Sequence, residues 1–370
     1  MNQPNPLLGV LMHATGGLAS ASFYLPFRRV RGWSWETYWL VGGVFSWIVA
    51  PWAFALIQTP HLFRVLAEAP VRSLAWTYLF GVLWGIGGLT FGLTMRYLGI
   101  ALGMAMALGY CAAFGTLMPP LFQGKLGTIA TTTGGSIVLL GVLVCLGGIL
   151  VSGLAGRSKE REMTESQKQA VIHEFNFRKG VLVATLSGIL SACMSYGFES
   201  GKPIAELAVQ YGSDSLWKNQ PLLIVVLAGG FTTNFVWCVL LGSRNGTRGE
   251  FVGREKGGSS LPATQIRSNY LLCAAAGTMW YLQFLFYGMG NTLMGKFEFS
   301  SWTLHMATIM IFGTLWGLAL KEWKGSSLRT HMLNAAGLFI LVLSTVIVGY
   351  GNHVGTSQSA ASASAEPEKF

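Results

Sequence analysis

The sequence predicts an all-α integral membrane protein of ten transmembrane helices, arranged as two inverted five-helix repeats. Three observations predict it. First, 52% of the 370 residues are hydrophobic and only 11% are charged, against roughly 25% charged in a typical soluble domain. A soluble fold would lack the charge to cover its surface, so the excess apolar side chains must face lipid. Second, ten mainly apolar windows of about 20 residues, each bounded by charges or turn residues, are long enough to cross a bilayer. Third, a short string recurs: Gly17-x-x-Ser20-Ala21 followed by Tyr24, then Gly188-x-x-Ser191-Ala192 followed by Tyr196. Five spans separate the copies, and an odd number makes the two halves point in opposite directions across the membrane.

The windows fall at 6–27, 34–57, 74–95, 99–121, 135–153, 178–200, 220–242, 269–290, 301–320 and 333–352. No Lys or Arg precedes the first, while Arg28, Arg29 and Arg31 follow it. That is the wrong charge order for a cleaved leader, so the first helix is expected to remain. The third window carries Gly81, Gly85, Gly88 and Gly92 on one helical face, a stripe that predicts a close helix-packing seam. Two connections, 154–177 and 243–268, are long and rich in charge, Gly or Ser, and predict solvated linkers. The resulting organisation is a first repeat at 1–153, a cytoplasmic linker at 154–177, a second repeat at 178–352 and a disordered Ser/Ala tail at 353–370.

The formal net charge is +10, which in a soluble protein would suggest a nucleic-acid partner. Its distribution gives another meaning. Of the 25 Lys and Arg residues, 18 lie in the odd-numbered connections. Basic residues in short loops mark the cytoplasmic side, so the odd loops are placed inside and both chain ends outside.

The five cysteines lie singly in separate apolar stretches, with no CxxC pair and no metal-ligand spacing, and are expected to be core residues. The strings HExxH, GxSxG, GxxxxGK[ST] and a complete GxGxxG are all missing, so an enzyme has little support. No metal and no cofactor is expected. Ionisable groups inside a bilayer are costly and mark function. The acidic residues in or beside spans are Glu36, Glu199, Glu298 and Glu322, all near an end. Glu199 stands three residues before Lys202, a spacing for a local ion pair.

His13 and His305 are the titratable groups within spans. His13, Gly17, Ser20 and Tyr24 form one partly polar stripe, and Glu298, Ser301, Trp302 and His305 form another. Both histidines fall in the outer half, where an imidazole can load a proton outside and release it inside. His13, His305 and Glu298 are therefore the candidate proton-coupling groups. On the eighth span Trp280, Gln283, Tyr287 and Asn291 share a face. Aromatic rings there offer a surface to sugar C–H groups, and amides can bond hydroxyls. Tyr24 and Trp302, on the two histidine stripes, join them as candidate substrate contacts.

At these residues the sequence resembles the L-rhamnose-proton symporter family, a sugar-transporting branch of the drug/metabolite transporter superfamily. The resemblance rests on Phe23-Tyr24-x-Pro26-Phe27, Trp33-Ser34-Trp35-Glu36-Thr37, the run Gly92 to Gly99, and Gly115-Thr116-Leu117-Met118. It continues through Lys202-Pro203, Trp280-Tyr281-Leu282-Gln283-Phe284, Ser301-Trp302-x-Leu304-His305-Met306 and Lys321-Glu322-Trp323. It implies an inner-membrane carrier that takes up L-rhamnose, and related deoxy sugars, together with a proton. An exporter or importer of another small metabolite on the same scaffold is the alternative. Glu199 stands where the family pattern carries an amide, so it is given no coupling role. The superfamily resemblance implies cytoplasmic termini, whereas the loop count places them outside, and the count is followed here.

Overall fold

The computed structural model describes residues 4–98, 100–163, 176–254 and 259–365. Its long helices are α1 (Pro6–Ser22), α2 (Trp35–Gln58), α3 (Val71–Leu98), α4 (Ile100–Phe122) and α5 (Thr133–Glu162) in the first half. The second half has α6 (Phe177–Ser200), α7 (Gln220–Asn245), α8 (Ala263–Leu293), α9 (Ser301–Ala319) and α10 (Leu328–Ala365). The described residues hold no strand, only the isolated bridge between Arg254 and Ser260. Nine of the helices, α2 to α10, contain a stretch long and apolar enough to cross a membrane. α1 has 17 residues, and its apolar run continues past Phe23 as the short turn Tyr24–Phe27.

Burying apolar surface between helices gains little in lipid, so close van der Waals approach must hold the bundle together. α5 and α10 show how. Gly134, Gly141 and Gly148 recur every seven residues and present one face of α5 to α10. A Cβ on Gly134 would lie 2.8 Å from the Gly351 carbonyl oxygen, and one on Gly141 would lie 2.5 Å from a Val348 methyl. The other side of α5, with Leu140, Leu143, Leu150 and Leu154, is exposed and forms a lipid-facing surface.

The glycine stripe on α3 divides. Gly81 and Gly85 make the expected seam: a Cβ at Gly81 would sit 2.0 Å from the Val226 carbonyl oxygen of α7. Gly229 of α7 returns the contact: a Cβ there would lie 2.2 Å from the Tyr78 carbonyl oxygen. Gly88 and Gly92 meet nothing; they border a cavity instead. The seam is completed by Gly87, off the stripe, which lies against the Ser191 backbone of α6.

The connections are more ordered than their composition predicts. α5 runs past residue 153 to Glu162, and α10 runs past 353 to Ala365, so helix occupies the first part of each segment expected as linker or tail. Residues 164–175 and 366–370 of those segments lie outside the described residues. The connection 243–268 is not simply solvated: Thr247 and Glu250 are buried. The Glu250 carboxylate accepts the Ser34 N–H at 2.6 Å and the Ser34 hydroxyl at 2.7 Å. Beside it, Glu36 accepts from Asn245 Nδ2 and Thr247 Oγ1, both at 2.9 Å. The carboxylates tie the α1–α2 loop to the end of α7, which is why acidic residues at span ends recur here.

Gly229→Ala forces a methyl against the α3 backbone and is expected to destabilise the bundle by about 1–3 kcal/mol. Gly88→Ala meets open space and is expected to leave stability unchanged. Thermal unfolding in detergent, comparing the two variants, checks the difference.

Candidate functional site

The bundle has two ends. At one, Asn5 N–H bonds the Leu293 carbonyl at 3.0 Å and Gln123 Nε2 bonds Glu199 at 2.7 Å; this is the N-terminal face. At the other, Asn269 Nδ2 donates to the Arg31 carbonyl at 2.7 Å and Asn176 N–H to the Tyr97 carbonyl at 3.1 Å. A cavity enters from each.

The N-terminal face holds a polar vestibule of about 230 Å³, lined by the ends of α4, α6, α8 and α9. Lys202 sits at its rim, 2.8 Å from Glu199 and hydrogen-bonded to Glu298. The local pair expected from sequence is present, and Glu298 completes it from the turn Gly295–Ser300. Asn291 Nδ2 donates to the Glu298 carbonyl at 3.3 Å, and Asn219 Nδ2 donates to the Gly288 carbonyl at 2.9 Å. Tyr287 forms part of the floor.

The second cavity, about 680 Å³, extends toward the opposite face between α2, α3, α4, α7, α8 and α9. Its volume lies in the range of small-molecule sites. Tyr24 and Trp35, both partly exposed, line its outer part. Trp39, Trp47, Trp84 and Trp280 supply its aromatic wall, and Asn234, Gln283 and His305 supply polar atoms. Trp39 Nε1 donates to Asn234 Oδ1 at 3.0 Å, and Gln283 Nε2 donates to the Trp280 carbonyl at 2.9 Å.

Trp302 lines both cavities and so forms part of the wall between them. Its indole N–H donates to the Cys111 carbonyl at 3.0 Å, and its ring lies where a Cβ on Gly115 would come within 2.3 Å of it. Tyr287 stands beside it, ring centres 5.5 Å apart and nearly perpendicular. The Tyr287 ring is flanked by two imidazoles, His13 at 5.5 Å and His305 at 5.3 Å. Both histidines are buried, and neither nitrogen of either ring meets a hydrogen-bond partner among the described residues. A neutral imidazole always carries one N–H, so this is a costly arrangement.

The candidate residues therefore separate by depth. Trp302, Tyr287, His305 and His13 make a layer, with His305 at the wall of the large cavity and His13 behind it. Trp280, Gln283 and Tyr24 belong to the large cavity, whereas Asn291 and Glu298 belong to the vestibule. The face shared by positions 280, 283, 287 and 291 crosses the layer and serves both sides. Lys202 as partner of Glu298, and Asn234, Trp39, Trp47 and Trp84 in the cavity wall, were not among the residues the sequence singled out. Asn234 carried a usable signal, as an amide in the middle of an apolar span. The five cysteines are buried and unpaired, as expected. No group of His, Cys, Asp and Glu able to hold a metal occurs among the described residues.

Two cavities entering a lipid-exposed helix bundle from opposite ends, parted by one side-chain layer, define a membrane carrier. The comparison with known families narrows this: residues 2–354 match the model described as L-rhamnose-proton symport protein, and the chain belongs to that family. It is 38% identical over 345 residues to the L-rhamnose-proton symporter of Cronobacter sakazakii, covering 93% of this chain and 97% of the relative. The Salmonella enteritidis symporter gives the same figures. That of Yersinia pseudotuberculosis is 37% identical over 346 residues, 93% of this chain and 98% of the relative. The family is one of transporters, not enzymes.

Trp302→Ala is expected to join the two cavities. Labelling with a membrane-impermeant maleimide from the N-terminal face checks it: Cys111, on the large-cavity wall, is expected to react in the variant and to stay protected from that side in the parent.

Proposed function

We propose that the protein carries L-rhamnose together with a proton across the bacterial cytoplasmic membrane by alternating access. The observation that carries this reading is the layer of Tyr287, Trp302 and His305 between two cavities. A substrate held against it needs only that the barrier on one side open while the other closes. The structure is then that of a state with the large cavity facing inward, because that cavity extends toward the end bearing most of the Lys and Arg residues. Both termini and the vestibule are outside, where the Lys202, Glu199 and Glu298 cluster ties α6 to the turn before α9.

The ten-span, inverted-repeat architecture belongs to the same proposal. α1 packs on α8 and α9, while α6 packs on α3 and α4. The partners of α1 are thus the counterparts, five helices on, of the partners of α6, and α5 and α10 pair with each other. The repeated glycines fit this exchange: Gly17 admits Thr308 of α9, and Gly188 admits Ala107 and Tyr110 of α4. α1, though short, then counts as the tenth span, extended by Tyr24–Phe27.

The sugar occupies the inner cavity between Trp280, Gln283 and His305, with Tyr24 toward the exit. Tyr287 and Asn291 receive it on the outer side, and Trp302 contacts it from either. Stacking of sugar C–H faces on indole and bonding of hydroxyls to the amide suit a deoxy sugar, which has both. The proton is assigned to the histidine layer. An imidazole whose nitrogens lack protein partners is free to bond a sugar hydroxyl in one state and to hold a proton in another. Glu298, ion-paired to Lys202 and away from the histidines, acts at the outer entrance.

L-rhamnose added to lightly buffered cells is expected to be taken up with an alkaline shift outside, and uptake is expected to stop with an uncoupler. No shift and no uptake would remove the assignment. For the histidines, His305→Gln is expected to retain counterflow exchange but lose accumulation against a gradient, and His13→Asn to weaken accumulation less. Accumulation at parental levels in both variants would show that neither carries the obligatory proton.

A further inference from the structure

α2 is interrupted by one π-helical turn, Phe45–Val49, with Trp47 at its centre. The cause lies two residues further on. Pro51 has no N–H to give the carbonyl four residues back, which is that of Trp47, so the ladder widens and the Ala50 N–H reaches the Phe45 carbonyl instead. Such turns are frequent at functional sites, because one extra residue re-aims the side chains around it.

Here the turn directs Trp47 into the wall of the large cavity. The residue is 3% exposed. Trp280 meets it edge-on at 5.3 Å and 90°, Trp84 at 6.5 Å and 89°, and Trp39 at 6.1 Å and 70°. Gly43, one helical turn back, leaves room for its six-membered ring, from which a Cβ would be 2.6 Å away. The indole N–H, however, has no hydrogen-bond partner among the described residues. Other indoles of this bundle are satisfied: Trp39 by Asn234, Trp302 by the Cys111 carbonyl, and Trp316 by the Ser22 hydroxyl at 2.8 Å. Trp33 is also unpartnered, but it packs on Tyr270 and lines neither cavity.

A buried donor left without an acceptor disfavours the empty site, and a ligand that supplies the acceptor removes that penalty. We propose that the Trp47 indole N–H is a substrate-binding group that donates to a hydroxyl oxygen of the monosaccharide in the large cavity, with Trp39, Trp84 and Trp280 around the sugar's C–H faces. The inference rests on the sugar-carrier reading above.

The test removes the N–H and keeps the ring. Trp47→Phe, and replacement of Trp47 by the isosteric 3-benzothienylalanine, are assayed for uptake of L-rhamnose and of its 2-, 3- and 4-monodeoxy analogues. Both variants are expected to raise the KM for L-rhamnose roughly ten-fold with little change in maximal rate, as loss of one buried neutral hydrogen bond implies. One monodeoxy analogue is expected to bind the parent about as weakly as L-rhamnose binds the variants, and to bind parent and variants alike. An unchanged KM in the benzothienyl protein, or the same penalty for every analogue, would overturn the proposal and leave Trp47 a packing residue. Failure of the parent to take up L-rhamnose at all would overturn the sugar reading and this proposal with it.

Discussion

Thr308 occupies the notch that Gly17 leaves in α1, and the geometry of the central layer depends on that contact. Its hydroxyl lies 3.0 Å from both the His13 and the His305 carbonyl oxygens. A Cβ on Gly17 would stand 2.4 Å from Thr308 Oγ1, so any larger residue separates α1 from α9. With the helices this close, the two imidazoles fall on either side of Tyr287, and Gly290 of α8 leaves the space that His13 fills: a Cβ there would be 2.8 Å from its ring. The layer is thus set by three helices meeting where small residues allow it.

The rest of the bundle shows how unusual the layer is. A polar group in a bilayer has no water to bond, so it must find a partner within the protein. Most do. Thr116 and Thr303 bond each other at 2.7 Å, Ser195 donates to the Gly115 carbonyl at 2.8 Å, and Ser187 donates to the Gly87 carbonyl at 2.9 Å. Against that background, two buried imidazoles and a cavity-lining indole with unpartnered nitrogens are among the few exceptions, and the proposed path of the transported molecule runs past them. The vestibule solves a different problem. Its Lys202 is shared between two carboxylates on separate elements, which ties the N-terminal face by charge where the opposite face is tied by the carboxylates of Glu36 and Glu250.

Much of this was legible in the sequence, for a physical reason. The lipid requirement writes long apolar windows, and the bilayer cost of a charge writes a short list of polar residues, so the helices and the histidines could be read directly. The seam in the first part of the glycine stripe followed from small-residue spacing. What could not be read was depth. Helical phase places Trp280, Gln283, Tyr287 and Asn291 on one face, but only the fold shows that Tyr287 and Asn291 border the vestibule while Trp280 and Gln283 border the cavity. Gly88 and Gly92 share the stripe of Gly81 yet face the large cavity rather than a neighbouring helix. Trp47 was missed because its position depends on a π turn that breaks the regular phase, and the Glu298 partner of Lys202 because 96 residues of chain separate them.

In the proposed mechanism, sugar binding and proton binding meet at the buried histidine layer. Calorimetric titration of the purified protein with L-rhamnose, in buffers of equal pH and different ionisation enthalpy, tests it most directly. Coupling at the layer is expected to give a buffer-dependent heat that reports proton uptake with the sugar, and a His305→Gln protein that still binds L-rhamnose but has lost the buffer dependence. Buffer-independent heats in the parent, or the same proton uptake after His305 is replaced, would contradict it.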